Sequence, residues 1–296
     1  MMRKITDILL NIILTVFSGI CYILTINGRM IFGKFLGILL RLILPSRIDV
    51  TLDNLKNAFP EASQDWINDI MKKSFTNLGI VLAEILSFPL ISDDKIRKYI
   101  KYENLNIYND AYSKGKGVIV LSAHFGNWEL LAYTCGLYSG LPMLVVVENQ
   151  KNDFIRKNIN KFRTRGGNRV VSRYNAARDI VRELRNGGTV GLLADQSATK
   201  DKDIFVDFFG RKAATYEAPA NLALKFGIPI LCAFPVRQPD GTYLAKCYNI
   251  DDADLEYNKA GIEELTKRHV KTLENAIREH PELWVWQHKR WKHQPN

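Results

Sequence analysis

Short apolar runs recur through the second half of the chain at intervals that leave room for a helix between them. They are VIVLSA from Val118, MLVVVE from Met143 to Glu148, TVGLLAD from Thr189 to Asp195, PILCAFPV from Pro229 to Val236 and YLAKCYNI from Tyr243 to Ile250. Runs of this length, rich in β-branched residues and separated by helical spacing, predict strands of a sheet flanked by helices. Between the second and third runs, NAARDIVRELRNGG puts Ala176, Ala177, Ile180, Val181 and Leu184 on one helical face and ends at Gly187 and Gly188, the usual stop signal. The expected class is therefore α/β: a layered α/β/α domain with a mixed, mostly parallel central sheet.

Upstream the period changes. From Asn54 to Phe88 apolar residues fall at mixed three and four spacing, with Ser63 placed to cap a helix. This reads as a helical lead-in to about residue 115. Before it, Ile5 to Ile26 has only Asp7 and Asn11 as strongly polar interruptions and is about long enough to cross a bilayer. The following stretch, NGRMIFGKFLGILLRLILPS, is again apolar but carries Arg29, Lys34 and Arg41 and has no small-x-small cleavage site. The pattern predicts a retained single amino-terminal anchor over residues 1–45 with an interfacial second segment, then a domain over 46–296. Arg3 and Lys4 before the span, against Arg29, Lys34, Arg41 and Arg47 after it, favour a cytoplasmic carboxyl-terminal side.

Within the first strand region, SAHFGNWEL places His124 and Glu129 five residues apart. Along one helix that is a net rotation of roughly 140°, so the two would not share a face. A strand, a turn at Gly126 and a helix capped by Asn127 would instead let Glu129 fold back towards the imidazole from the first helical turn. Arg163 and Arg165, in KFRTRGG, follow a helix after the second strand, and Asp195 with Gln196 closes the third. All these positions fall where ligands bind in an open α/β sheet, beyond strand carboxyl ends.

Charge adds a partner class without selecting one. Lys and Arg number 41 against 31 Asp and Glu, a net charge of +10, which suits anionic phospholipid, nucleic acid or an acidic protein. Aromatics are not interleaved with basic repeats, which argues against nucleic acid. Cys21, Cys135, Cys232 and Cys247 are scattered without metal-ligand spacing, so reduced, buried thiols are expected and neither zinc nor a disulfide framework is. His288 and His293, in the basic run HKRWKH, suit a charged surface or a phosphate contact better than a metal. P-loop, dinucleotide-binding and serine-hydrolase motifs do not occur.

Taken in order, the leading apolar segment, NLKNAFPE at Asn54, SAHFGNWEL, the arginine pair with RGG, GLLADQ, FVDFFGRKAATYEAPANLA at Phe205 and REHPELWVWQHKRWK at Arg278 resemble the lipid A biosynthesis (late) acyltransferases of the lysophospholipid acyltransferase superfamily. The resemblance spans nearly the whole chain. It implies a membrane-associated enzyme of the cell inner membrane that moves a fatty acyl chain from acyl carrier protein to a hydroxyl of a phosphorylated glycolipid, without a cofactor. His124 would be the general base and Glu129 would hold its imidazole. Asn127 would position the turn or donate to the developing oxyanion. Arg163 and Arg165 would bind phosphate on the acceptor or on the donor's prosthetic arm, and Asp195, beside Gln196, would anchor an arginine or accept from a sugar hydroxyl. After the DQ pair this chain reads SATKDKD, where the family's pattern carries acidic or glycine-rich residues. Two rivals remain: an acyltransferase acting on a lysophospholipid or another glycolipid, with acyl-CoA as a possible donor, and a non-catalytic basic protein that holds anionic lipid.

Overall fold

The computed structural model describes residues 2–148, 152–198 and 204–295. Four helices lead: α1 (Met2–Ile23), α2 (Ile26–Ile43), α3 (Pro45–Ala58) and α4 (Gln64–Ser87). Ser63 caps α4 by accepting from the Trp66 amide, as its position in the pattern predicts. The chain then alternates through α5 (Asp93–Ile96), β1 (Ile100–Glu103), α6 (Leu105–Ser113), β2 (Val118–Ser122), α7 (Trp128–Ser139), β3 (Met143–Val147), α8 (Asp153–Thr164), β4 (Arg169–Ser172), α9 (Ala176–Arg185) and β5 (Thr189–Leu193). A hairpin of β6 (Ile204–Phe208) and β7 (Arg211–Thr215) follows, then α10 (Ala218–Phe226), β8 (Ile230–Arg237), β9 (Tyr243–Ile250) and α11 (Lys259–Glu279).

Seven strands form the central sheet in the order β1-β9-β8-β2-β5-β3-β4. Every ladder is parallel except β8 with β9, so the sheet is mixed and mostly parallel. Both faces are covered. Ile119 and Leu121 of β2 join Phe75 of α4 and Leu265 and Ile277 of α11 in one core, while Val118 and Val120 join Leu130 of α7 and Phe162 of α8 in the other. A strand buried on both sides needs a continuous apolar run, which is why VIVL does not alternate.

The expected span over Ile5 to Ile26 is not one helix. The chain leaves helical geometry after Ile23, and Thr25 restarts it by capping α2, its hydroxyl accepting from Gly28 N. No helix among the described residues is long and apolar enough to cross a membrane. From Asn11 onward the described side chains of α1 and α2 form two sides. One side of the pair faces the protein: Ser18 donates to the Leu86 carbonyl, Arg29 is buried and donates to the Cys21 carbonyl, and Gly33 and Gly37 of α2 lie against Gly79 of α4. The other side is apolar and open. Ile12, Val16, Ile20 and Ile23 make one exposed stripe and Ile31, Phe35, Ile38 and Leu42 another. All four cysteines are free and buried, as their spacing predicts.

Candidate active site

β2 occupies the middle of the sheet, and the chain leaves its carboxyl end through Ala123, His124 and Phe125 into the turn at Gly126. Gly126 has φ of +51°, and a Cβ there would overlap the Pro235 carbonyl of β8, so the close approach of turn to sheet requires glycine. Asn127 then caps α7, accepting from Leu130 N at 2.9 Å. The predicted strand, turn and helix are all present. The carboxyl-terminal segment closes over this turn: Val285 N donates to the His124 carbonyl at 3.0 Å, and Gly126 N donates to that of Leu283 at 2.9 Å.

The partner of the imidazole is not the expected one. β2 and β5 are adjacent and parallel, with Ser122 opposite Leu193, so residues two further along each strand, His124 and Asp195, come level. His124 Nδ1 lies 2.9 Å from Asp195 Oδ1, and the His124 amide donates to Oδ2 at 2.9 Å. Trp284 Nε1 donates to the same Oδ2 at 2.9 Å. Asp195 is buried and thus held by three donors. Burial opposes its charge, but the charge on His124 and these hydrogen bonds outweigh it, and its pKa falls below the ordinary 3.8. For His124 burial disfavours the imidazolium, yet attraction to Asp195 and the hydrogen bond prevail, with Glu129 adding in the same sense, so its pKa rises above 6.5. A carboxylate on Nδ1 makes that atom the proton carrier and leaves Nε2 as the base. The His124 side chain stays 24% exposed, and its Nε2 has no carboxylate partner among the described residues. Gln196 Nε2 sits 3.4 Å from it.

Glu129 lies in the first turn of α7 as expected but pairs with Arg163 rather than with the imidazole. Arg163 Nε donates to Glu129 Oε2 at 2.7 Å and Nη2 to Oε1, a fork on a carboxylate. The pair is largely buried. Glu129 therefore acts on His124 only through space.

The two arginines diverge because they are two residues apart where α8 ends, so their side chains leave in different directions. Arg165 donates to Asp93 of α5 and to the Phe88 carbonyl, and stands over the Tyr133 ring. Asp195 anchors neither arginine. Asn127 is fully buried, with its amide nitrogen given to Glu84 at 2.8 Å; it shapes the turn. His288 is likewise not a surface charge: its Nε2 accepts from Ser197 N at 3.3 Å, and burial pulls its pKa down to about 4. Of the SATKDKD stretch, residues 199–203 lie outside the described residues.

Sequence reasoning missed Trp284 and Arg290. Trp284 reads as an ordinary core aromatic, and only the fold brings its indole to Asp195. Arg290 is 1% exposed and donates to the Ala214 carbonyl and the Thr215 hydroxyl, tying the chain end to β7; a lone Arg in a basic run gives no signal of burial. Among the described residues no group of His, Cys, Asp and Glu could hold a metal ion.

Known proteins resemble the chain over most of its length. The chain is 26% identical to the lipid A biosynthesis palmitoleoyltransferase of Escherichia coli (strain K12) over 266 residues, 89% of this chain and 84% of that enzyme. It is 24% identical to the lipid A biosynthesis lauroyltransferase of the same organism, over 89% of this chain and 85% of the relative. A lipid A biosynthesis acyltransferase of Haemophilus influenzae is 23% identical over 79% of this chain and 72% of its own. The family described as bacterial lipid A biosynthesis acyltransferase matches residues 2–293, and the chain belongs to it.

Proposed function

We propose that the protein transfers a fatty acyl group from the thioester of acyl carrier protein to a hydroxyl of a phosphorylated lipid A precursor, with His124 as general base. The observation that carries the reading is the Asp195–His124 pair at a strand end, with Nε2 left for substrate. As the acceptor oxygen attacks the thioester carbonyl, Nε2 takes its proton, and Asp195 stabilises the resulting imidazolium. The tetrahedral centre then expels the thiolate, the carbon–sulfur bond breaks, and the imidazolium returns the proton to sulfur. No protein nucleophile enters. Cys135 is buried, and burial pushes its thiol up to about 12, which suits packing rather than acyl carriage.

Glu129 adds negative charge near the imidazolium, and Arg163 fixes that carboxylate. A phosphate beside Arg163 would compete with Glu129 for the same fork, so the sequence-derived phosphate role is retained for Arg163 only as a contact made when acceptor or donor arrives. The exposed stripes of α1 and α2, with Lys34 and Arg47 beside them, support binding in the plane of an anionic membrane, with the site on its cytoplasmic face. Mass spectrometry of products formed from a lipid A precursor with acyl carrier protein and coenzyme A donors, supplied separately, tests the whole reading. An acylated precursor formed from the carrier-protein donor is expected. Product only from coenzyme A, or only on a lysophospholipid, would replace it.

A further inference from the structure

Glu84, on α4, is 3% exposed and lies outside the set of groups that meet substrate. It is nevertheless a junction. Its Oε2 accepts from Asn127 Nδ2 at 2.8 Å and from the Tyr243 hydroxyl at 2.7 Å, and its Oε1 accepts from Arg237 Nη1 at 3.0 Å. Arg237 Nη2 continues to Asn77 Oδ1 at 3.0 Å, and Asn77 Nδ2 donates to the Leu283 carbonyl. Leu283 is the residue whose carbonyl receives Gly126 N. Both arms starting at Glu84 therefore end on the same turn, one at Asn127 and the other at Gly126, two residues from His124.

Taking a carboxylate and a guanidinium out of water is expensive, and an apolar pair of similar volume is often no less stable. A buried pair that closes a ring around one turn points to a requirement for one conformation there. We propose that Glu84 is a positioning residue for acyl transfer, acting through Asn127 and through Arg237 and Asn77 to hold the His124 turn against Asp195. This rests on the acyl-transfer reading given above. A misplacement of about 1 Å at a reacting group costs on the order of 10²-fold in rate, so a network that sets the turn's position acts on kcat without touching substrate.

The donor directions give a reciprocal test. Asn127 Oδ1 caps α7, so its amide nitrogen must face Glu84. In Glu84→Gln, keeping the oxygen on Arg237 turns an NH2 towards the Asn127 NH2, and two donors meet. In Asn127→Asp the cap survives but two carboxylates meet. In the double variant the Gln amide donates to the Asp carboxylate and to the Tyr243 oxygen, so both bonds at that position reform with their directions reversed. Each single change is expected to lower kcat about tenfold, with KM for either substrate moving less than about twofold, and the double variant to recover most of the loss. The His124 imidazole titration, followed by NMR, gives a readout independent of turnover: its midpoint moves in each single variant, as contact with Asp195 changes, and returns in the double. Single variants with wild-type kcat and an unmoved midpoint, whatever their melting temperature, overturn the proposal, as does a double variant no better than the worse single. If the wild type acylates no lipid A precursor, the function fails and the NMR midpoints alone decide the role of Glu84.

Discussion

At the residue scale the chemistry reduces to which atom of His124 is free. His124→Ala is expected to lower turnover by about 10² to 10⁴-fold while the melting temperature stays near the wild type; single-turnover rates and a thermal melt check both. Asp195→Asn removes the group that selects the tautomer, and its loss of kcat should be comparable. The pH dependence separates them. A base must be neutral, so activity rises with pH through the His124 pKa, which Asp195 and Glu129 hold above 6.5 against the effect of burial. In Asp195→Asn the residual activity should therefore appear from a lower pH, and a rate profile that does not move would remove Asp195 from the mechanism.

His269 gives a second residue-scale prediction, on stability. It is 4% exposed, and burial, with Arg290 nearby, lowers its pKa to about 4. The folded state thus favours the neutral ring, while the unfolded chain takes up a proton near pH 6.5. The stabilisation is complete above that value and is lost as pH falls towards 4, a contribution on the order of 3 kcal/mol. His269→Phe keeps a ring without a titrating group, and denaturant melts between pH 7 and 4.5 should show a flatter dependence in that variant.

At the element scale the contact between α2 and α4 depends on absent side chains. A Cβ on Gly79 would overlap the Gly33 carbonyl and the Gly37 backbone, and one on Gly33 would overlap Ile80. Small residues at this spacing let two backbones touch. Gly79→Ala raises intrinsic helix propensity yet is expected to destabilise by about 1–3 kcal/mol, because overpacking outweighs propensity. Equilibrium unfolding checks the sign. An unchanged or raised stability would mean that α2 shifts freely on α4. The same crossing ties the amino-terminal helices to the element that carries Glu84.

For the whole molecule, charge and apolar surface act together. Exposed Ile31 and Leu42 lie on a helix that also carries Lys34 and leads to Arg47. Vesicle flotation should show binding to anionic bilayers that weakens with salt but persists in part, since apolar burial is not screened. Ile31→Glu with Leu42→Glu should abolish that residue of binding and leave turnover on a detergent-dispersed acceptor near normal. Retained flotation at high salt would place the membrane contact elsewhere.

The sequence by itself determined the local elements. Apolar runs marked β2, β3, β5, β8 and β9, Ser63 and Asn127 marked helix starts, and Gly126 marked the turn, because periodicity, capping and φ preference act over a few residues. It missed β1, β4, β6 and β7, which are four or five residues long and mixed in polarity and owe their state to their neighbours. It also named the chemical residues His124, Glu129, Arg163 and Asp195. Tertiary structure decided how they pair. His124 and Asp195 are 71 residues apart and meet only because β5 lies in register beside β2, and Glu129 is claimed by Arg163 from the end of α8. Strand adjacency is a property of the whole packed sheet, so no spacing in the chain contains it. The same holds for the amino terminus: composition makes it apolar, but packing on α4 decides that one face of α1 and α2 meets protein and the other is left exposed.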